Sequence, residues 1–138
     1  MDRFRASVTA ACCGLVLLAA IASGQSSQPG VFSADQAKHG QRIVGEKCGA
    51  CHGNDLDGGQ EAPALKGDPF WSEWDQQTAR SLYSRIISTM PPDSPGTLDE
   101  KDVIDIVAFI VHENGVPQSS KAVLSASELN NIKLQRPK

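Results

Sequence analysis

The sequence predicts an all-α fold, and three observations support this prediction. Apolar residues recur at the three- and four-residue spacing of amphipathic helices in three separate segments. Each of these segments is preceded by a residue type that caps helix N-termini. No stretch of the 138 residues shows useful apolar–polar alternation of the kind that a half-buried strand requires, and no internal repeat is present. We therefore expect one small domain of three main helices and short helical turns.

The first helix is predicted to run from Ala34 into Cys48. Ser33 and Gln36 have the spacing of a capping box, in which the side chain of each residue bonds the backbone N–H of the other. One face of this helix carries Ala37, Gly40, Val44 and Cys48. A helical glycine costs roughly 1 kcal/mol relative to alanine, so we expect Gly40 to mark the point where another helix approaches closely.

The second main helix is predicted to begin after Thr78, its expected N-cap. Its apolar face is formed by Leu82, Tyr83, Ile86 and Ile87. The helix should end before Pro91, because proline cannot continue the hydrogen-bond ladder and forces the preceding residue toward an extended conformation. Upstream, Trp71 and Trp74 lie in a segment that we expect to form one short helical turn.

The third main helix is predicted to start near residues 97–99, with Glu100 or Asp102 available for reciprocal capping. Its apolar positions are Val103, Ile106, Val107, Phe109 and Ile110. Asn114 and Gly115 form an expected left-handed C-terminal cap, and Pro117 prevents the helix from resuming.

The five residues Cys48-Gly49-Ala50-Cys51-His52 carry the most specific chemical signal in the chain. Cys-x-x-Cys-His is the attachment sequence of a c-type haem. On one helical turn, positions i, i+3 and i+4 share a face, so both thiols can reach the two vinyl groups of one porphyrin while the imidazole points at its iron. We therefore expect Cys48 and Cys51 to bind the haem covalently and His52 to bind the iron.

Two other chemistries use the Cys-x-x-Cys spacing. A zinc site needs about four protein ligands, and beyond the motif only His39 and His112 remain as nitrogen or sulfur donors of the usual kind. A thioredoxin-like redox pair expects a βαβ pattern around the motif, and the sequence has none. Haem attachment is therefore the favoured interpretation.

The N-terminus has the pattern of a secretory signal peptide, predicted over residues 1–24 with cleavage near 22–24. Arg3 and Arg5 precede the apolar stretch 8–22, which ends in a small-x-small cleavage site. A membrane anchor is the alternative, but this stretch is shorter than the roughly 20 residues that a spanning helix needs. Cys12 and Cys13 lie near the start of the stretch and are expected to leave with the signal.

The remaining chain divides into three predicted segments: a polar linker at 25–32, a domain at 33–117 and a tail at 118–138. The net charge of −3 disfavours nucleic acid as a partner. Leu124 and Leu129 in the tail can pack on the domain or dock on a partner, and the sequence does not settle which.

The second axial ligand separates the candidate functions, since a haem with two protein ligands shuttles electrons and a haem with one binds or activates small molecules. Met90 is the single thioether candidate after removal of Met1, and it lies in a rigid turn before two prolines. His39 and His112 are the alternatives. Both have polar neighbours, so we expect them to face solvent.

In these elements the chain resembles the class I cytochrome c family, in the small monohaem form found free or attached to bacterial periplasmic dehydrogenases. The resemblance covers about 33–117 and rests on four elements in order: Cys48-Gly49-Ala50-Cys51-His52-Gly53, Ala62-Pro63-Ala64-Leu65-Lys66-Gly67, Thr89-Met90-Pro91 and Ile106-Val107-Ala108-Phe109-Ile110. It implies a domain wrapped around one covalently bound haem.

The resemblance also implies roles for individual residues. The Pro63 carbonyl would accept the Nδ1 hydrogen of His52, and Leu65 would pack on the ring. Gly40 would cross the last helix near Ile106 and Phe109. An indole N–H from Trp71 or Trp74 would lie near a propionate, although packing explains two tryptophans equally well. The family often has an aromatic residue at the position of Val44, which leaves the tightness of the helix crossing open.

We therefore expect a periplasmic one-electron carrier, not an enzyme, with one haem c between His52 and Met90. Its partners would be a dehydrogenase donor and an oxidase or other cytochrome acceptor. It would have no membrane span after cleavage, and would be a monomer or a subunit of a complex. One alternative is an electron-transfer subunit of a periplasmic dehydrogenase that docks through the tail. Another is a haem enzyme or gas sensor with an open sixth position.

Overall fold

The computed structural model describes residues 30–138 and confirms the all-α fold. The predicted signal peptide at 1–24 and most of the linker at 25–32 lie outside these residues and stay predictions. The helices are α1 (Ala34–Lys47), α2 (Gly49–His52), α3 (Gly67–Trp74), α4 (Ala79–Thr89) and α5 (Glu100–Glu113). Two short strands, β1 (Phe32–Ser33) and β2 (Gln118–Ser119), and a 3₁₀ helix (Glu128–Asn131) complete the fold.

The start of α1 contains the predicted capping box. The Ser33 hydroxyl accepts a hydrogen bond from the Gln36 backbone N–H at 3.2 Å, and the Gln36 side chain accepts one from the Ser33 N–H at 3.4 Å. The helix ends at Lys47, and Cys48 follows as its C-cap. The capped helix therefore leads directly into the Cys-x-x-Cys-His motif.

Helices α1 and α5 cross at Gly40, as the sequence predicts. A Cβ atom at this position would lie 1.9 Å from the Asp105 carbonyl oxygen and 2.9 Å from the Phe109 Cβ. The expected neighbours were Ile106 and Phe109, and the closest group is in fact the carbonyl one residue before Ile106. The missing side chain thus allows two backbones to touch, which compensates for the low helix propensity of glycine.

Replacing Gly40 by alanine is expected to destabilise the domain by about 1–3 kcal/mol or more, since the new methyl group must displace the backbone of α5. Urea unfolding of the purified protein measures this change. Gly45→Ala is the matched control, because a Cβ at Gly45 in the same helix meets no atom within 4 Å. We expect the control to raise stability by up to about 1 kcal/mol. Equal effects of the two substitutions would contradict the close crossing.

The ends of the later helices agree with the sequence prediction in part. Thr78 caps α4 by accepting a hydrogen bond from the Ser81 N–H at 3.3 Å. Asp99 lies at the N-cap of α5 but makes no side-chain capping bond, so the expected reciprocal capping of this helix is wrong. Two acidic residues in the first turn of α5 instead complement the helix dipole. Helix α3 has eight residues and is longer than the single turn expected.

The C-terminus of α5 has a Schellman cap. Gly115 has a φ of 82°, its N–H bonds the His112 carbonyl at 2.9 Å, and the Val116 N–H bonds the Val111 carbonyl at 3.0 Å. Only glycine adopts this left-handed conformation without strain. The predicted end of the helix at Asn114 and Gly115 is confirmed.

The domain begins earlier than the sequence suggested. Phe32, placed in the linker, is 2% exposed and belongs to the hydrophobic core. Strand β1 pairs in parallel with β2, with Phe32 opposite Gln118. Two strands of two residues each are too short to produce the alternation by which strands are recognised in a sequence.

The tail packs on the domain. Val123, Leu129 and Leu134 are buried, and the Gln36 side chain bonds both the N–H and the carbonyl of Val123 at 3.0 and 2.9 Å. This answers the question that the sequence left open for most of the tail. Leu124 is the large apolar side chain that stays exposed among residues 30–138. None of the helices in this range is long and apolar enough to span a bilayer.

A buried carboxylate lies where α1 and α5 meet. Asp105 is 1% exposed, and its oxygens lie 2.7 Å from His39 Nδ1, 2.7 Å from Lys101 Nζ and 3.1 Å from Gln36 Nε2. His39 faces solvent only in part: 32% of its side chain is exposed, and its ring bonds Asp105. The hydrogen bond to Asp105 raises the pKa of Lys101. His112 is exposed, as expected.

Candidate haem site

A cavity of about 520 Å³ lies between α1, α3, α4 and α5. Its walls are mainly apolar and include Val44, Phe70, Leu82, Ile86, Leu98, Ile106 and Ile110. The structure brings all of the site residues predicted from the sequence to this one cavity: Cys48, Cys51, His52, Pro63, Leu65 and Met90. These residues come from segments separated by up to three helices, so their convergence is a property of the fold.

The Cys-x-x-Cys-His motif forms a single helical turn at the end of α1. The N–H groups of Cys51 and His52 both bond the Cys48 carbonyl, at 3.1 and 2.9 Å. This turn supports the arrangement in which the two thiols and the imidazole share one face. Cys51 is exposed, whereas Cys48 is half-buried and its pKa is raised by burial.

The His52 ring is held by one specific hydrogen bond. Nδ1 lies 2.8 Å from the Pro63 carbonyl oxygen. A carbonyl can only accept, so Nδ1 carries the hydrogen and Nε2 keeps its lone pair. The bond orients the ring and makes Nε2 a better donor to a metal. This is the contact that the resemblance to class I cytochromes c implied.

The loop after the motif folds back to bring Pro63 to His52. Gly58 has a φ of 78°, and a Cβ at this position would lie 2.5 Å from the Ala64 N. The Gly58 N–H bonds the His52 carbonyl at 2.8 Å, and the Leu65 N–H bonds the Leu56 carbonyl at 2.9 Å. Leu56 is fully buried. The sequence predicted a loop here but not the contribution of Gly58 and Leu56 to the site.

Asn114 is a further residue that sequence reasoning missed, since its only predicted role was in the cap of α5. Its side-chain oxygen accepts a hydrogen bond from the Gly67 N–H at 2.9 Å, and its amide donates to the carbonyls of Leu65 and Ile110 at 2.9 and 2.8 Å. Asn114 thus fixes the segment that carries Leu65 to the end of α5. No local signal in the sequence identifies such a long-range contact.

Met90 is the C-cap of α4, with φ −121° and ψ 146°. Its N–H still bonds the Ile86 carbonyl at 2.9 Å, and its side chain is half-buried against the core. The extended backbone at this position matches the geometry that a following proline imposes. Met90 and His52 therefore approach the same cavity from α4 and α2.

Charged residues also line the cavity. Lys47 and Arg85 supply positive charge and Glu61 and Glu73 negative charge, with Arg85 Nη2 4.0 Å from Glu73 Oε1. Trp74 is part of the lining, whereas Trp71 is not and instead packs edge-on against Phe70 with centroids 5.0 Å apart. Of the two tryptophans named for a propionate contact, Trp74 is therefore the one at the cavity.

The residues present fit a c-type haem. The cavity has apolar walls, two thiols, an oriented imidazole and a thioether. Among residues 30–138 no group of three or more His, Cys, Asp or Glu side chains is placed to hold a metal ion.

This fold and this site define a cytochrome c domain, the class of protein whose chemistry is haem-based electron transfer. The chain belongs to the family described as cytochrome c oxidase, cbb3-type, subunit III, which matches residues 35–110. The family match covers α1 to α5 almost completely and includes the haem-binding motif and Met90.

Among solved structures, the fold is similar to that of a chain of the sulfane dehydrogenase SoxCD from Paracoccus pantotrophus. The TM-score is 0.59 at 25% sequence identity, over 78% of this chain and 55% of that chain. The chain thus spans about half of the length of the SoxCD chain. No curated protein gives a match.

Proposed function

We propose that this protein is a one-electron carrier with a single haem c, attached through Cys48 and Cys51 and ligated by His52 and Met90. The observation that carries the proposal is the convergence of these four residues on one apolar cavity of about 520 Å³. A one-electron carrier needs two protein ligands and little else at the iron, and this cavity offers one imidazole and one thioether.

The haem supplies the exchange of one electron between ferrous and ferric iron. The chain's own residues set the conditions for that exchange. The Pro63 carbonyl holds His52 in one tautomer at 2.8 Å, so the ligand does not rearrange between the two oxidation states. A Met90 thioether would raise the reduction potential of the haem. The apolar walls exclude water and so disfavour the ferric state, which carries one more positive charge than the ferrous state.

We further propose that the protein works in the periplasm. The support is the signal-peptide pattern of residues 1–24 together with the haem motif, since covalent attachment of c-type haem in bacteria is completed outside the cytoplasm. Both features point to one compartment. The N-terminus of the exported protein, located by mass spectrometry near residues 22–24, tests this assignment.

A potentiometric titration followed by visible absorption tests the carrier function. We expect one reversible transition between the oxidised and reduced spectra that fits the transfer of a single electron. The isosbestic points should be the same during reduction and during reoxidation. Two resolved transitions, or reduction that oxidant does not reverse, would contradict a single haem acting as a carrier. An oxidised protein that is reduced only together with turnover of a small molecule would instead favour a haem enzyme.

A second candidate is an electron-transfer subunit of a dehydrogenase complex, with the same haem chemistry and a fixed partner. The similarity to a chain of a sulfane dehydrogenase favours this reading. The tail can contribute to docking only through its exposed side chains, such as Leu124, because Leu129 and Leu134 are buried in the domain. If the tail docks on a partner through Leu124, Leu124→Asp should co-purify with fewer partners than wild type. If the tail only covers its own domain, the two proteins should co-purify with the same partners.

A further inference from the structure

The end of the tail lies across the connection between α3 and α4. The Gln76 N–H bonds the Leu134 carbonyl, and the Leu134 N–H bonds the Gln77 carbonyl, both at 2.8 Å. The Ala79 N–H bonds the Ile132 carbonyl at 2.8 Å. Residues on either side of Lys133 thus form a small antiparallel pairing with the α3–α4 connection, although they follow it by more than fifty positions in the sequence.

Side chains extend this pairing in both directions. Leu129 and Leu134 are fully buried, and the 3₁₀ helix that carries Leu129 packs on α4. Farther along, the Arg136 N–H bonds Asp75 Oδ1 at 3.0 Å and the Arg136 guanidinium pairs with Asp68. We term the segment 129–136 the strap. It contacts helix α3 near both ends of that helix, and it contacts helix α4 at the start of that helix.

The strapped elements form one wall of the candidate haem cavity. Helix α3 supplies Phe70 and Trp74, and α4 supplies Leu82 and Ile86 and ends at Met90. Within the described residues, α4 packs on α5 and on the 3₁₀ helix, and α3 contributes Phe70, Trp71 and Trp74 to the core. The start of α3 is also held by the bond from the Gly67 N–H to Asn114, so the strap acts chiefly on the end of α3 that connects to α4.

We propose that the strap is a positioning element for the sixth ligand: it holds the α3–α4 wall against the cavity and so keeps Met90 on the iron. This inference rests on the proposed His52 and Met90 ligation. The side of the cavity that carries the Cys-x-x-Cys-His motif does not contact the strap in this way. Its helical turn continues α1, and the loop that follows is tied to α5 through Asn114. Loosening the strap should weaken Met90 ligation and leave the covalent haem in place.

The test compares Leu134→Ala with Leu124→Ala in the full holoprotein. The two leucines lie in the same tail, but Leu134 is 0% exposed and Leu124 is 83% exposed. For Leu134→Ala we expect a several-fold rise in the rate of carbon monoxide binding to the reduced protein, a weaker sulfur-to-iron charge-transfer band and an unchanged content of covalent haem. Leu124→Ala should match wild type, and Leu134→Ile should restore most of the wild-type behaviour.

Hydrogen exchange of the same holoproteins separates this proposal from the ligand assignment. Leu134→Ala should speed amide exchange several-fold in residues 67–89 and leave α1 unchanged. Suppose that Leu134→Ala speeds exchange in residues 67–89 but that the wild-type protein itself lacks the charge-transfer band. The strap then holds α3 and α4 in place, but the assignment of Met90 as a ligand is wrong. If neither exchange nor carbon monoxide binding changes, the strap proposal is wrong. Should Leu134→Ala fail to fold, Arg136→Ala removes the exposed ion pair and carries the same expectations at smaller amplitude.

Discussion

Replacing both Cys48 and Cys51 by alanine is expected to abolish covalent haem attachment. The structure presents these two thiols on one helical turn at the cavity, and they are the two cysteines of residues 30–138. Thioether bonds to the two vinyl groups require both sulfurs. Acidified organic solvent removes any haem that is not covalently bound, so the haem remaining with the denatured polypeptide measures the effect. We expect full retention for wild type and none for the double variant.

The chain offers a matched control for this experiment. Cys12 and Cys13 form a second pair, which we predict to leave with the signal peptide. Their double replacement by alanine removes the same number of thiols and should leave the haem content unchanged. Retention of haem by the Cys48/Cys51 variant under denaturing conditions would show that the motif is not the attachment site.

Replacing Met90 by alanine is expected to remove the sixth ligand and change the redox properties of the protein. The sulfur-to-iron charge-transfer band of the oxidised state should disappear, and the reduced state should bind carbon monoxide readily. We expect the potential to fall by on the order of 0.1 V, within the roughly 0.8 V range over which axial ligands tune haem proteins. The physical reason is that a thioether stabilises the reduced state and water or hydroxide does not.

Three variants serve as controls for the ligand assignment. Met90→His keeps a side chain able to bind iron and should stay closed to carbon monoxide while losing the sulfur band. His39→Ala and His112→Ala remove the alternative ligands, and neither should alter the band: His39 bonds the buried Asp105, and His112 is exposed. An unchanged spectrum and potential in Met90→Ala would refute His/Met ligation and favour an open sixth position.

Local patterns in the sequence predicted much of this fold. The capping box at Ser33, the N-cap at Thr78, the left-handed Gly115 and the close approach at Gly40 are all present in the structure. Each depends on a few neighbouring residues or on steric requirements that a single residue type meets. The haem motif belongs to the same group, because its residues follow one another on a single turn.

Features that depend on distant residues were not predictable in this way. Gln36 bonds Val123 across 87 positions, and His39 bonds Asp105 across 66 positions. Phe32 lies in the core, and its strand β1 pairs with β2, 86 positions further along the chain. Asn114 positions the Leu65 segment across 49 positions. No spacing rule in the sequence encodes these pairings, which arise when the helices pack.

The packing of the helices and loops also determines where the proposed haem-binding residues lie. The turn that carries Cys48 and Cys51 continues α1, which α5 crosses at Gly40, and the folded-back loop fixes the tautomer of His52. Met90 lies at the end of α4, whose first residue is bonded to the tail. The side that carries the cysteines thus combines a local turn with ties to α5, and we propose that the Met90 side depends on contacts made by the tail.

The most direct test of this account is the intact mass of the protein isolated from a bacterial host with a cytochrome maturation system. We predict a coloured protein whose denatured mass equals the cleaved polypeptide plus one haem. A colourless protein with the mass of the polypeptide alone, obtained from a host that matures other c-type cytochromes, would contradict the central claim that this cavity holds one covalently attached haem.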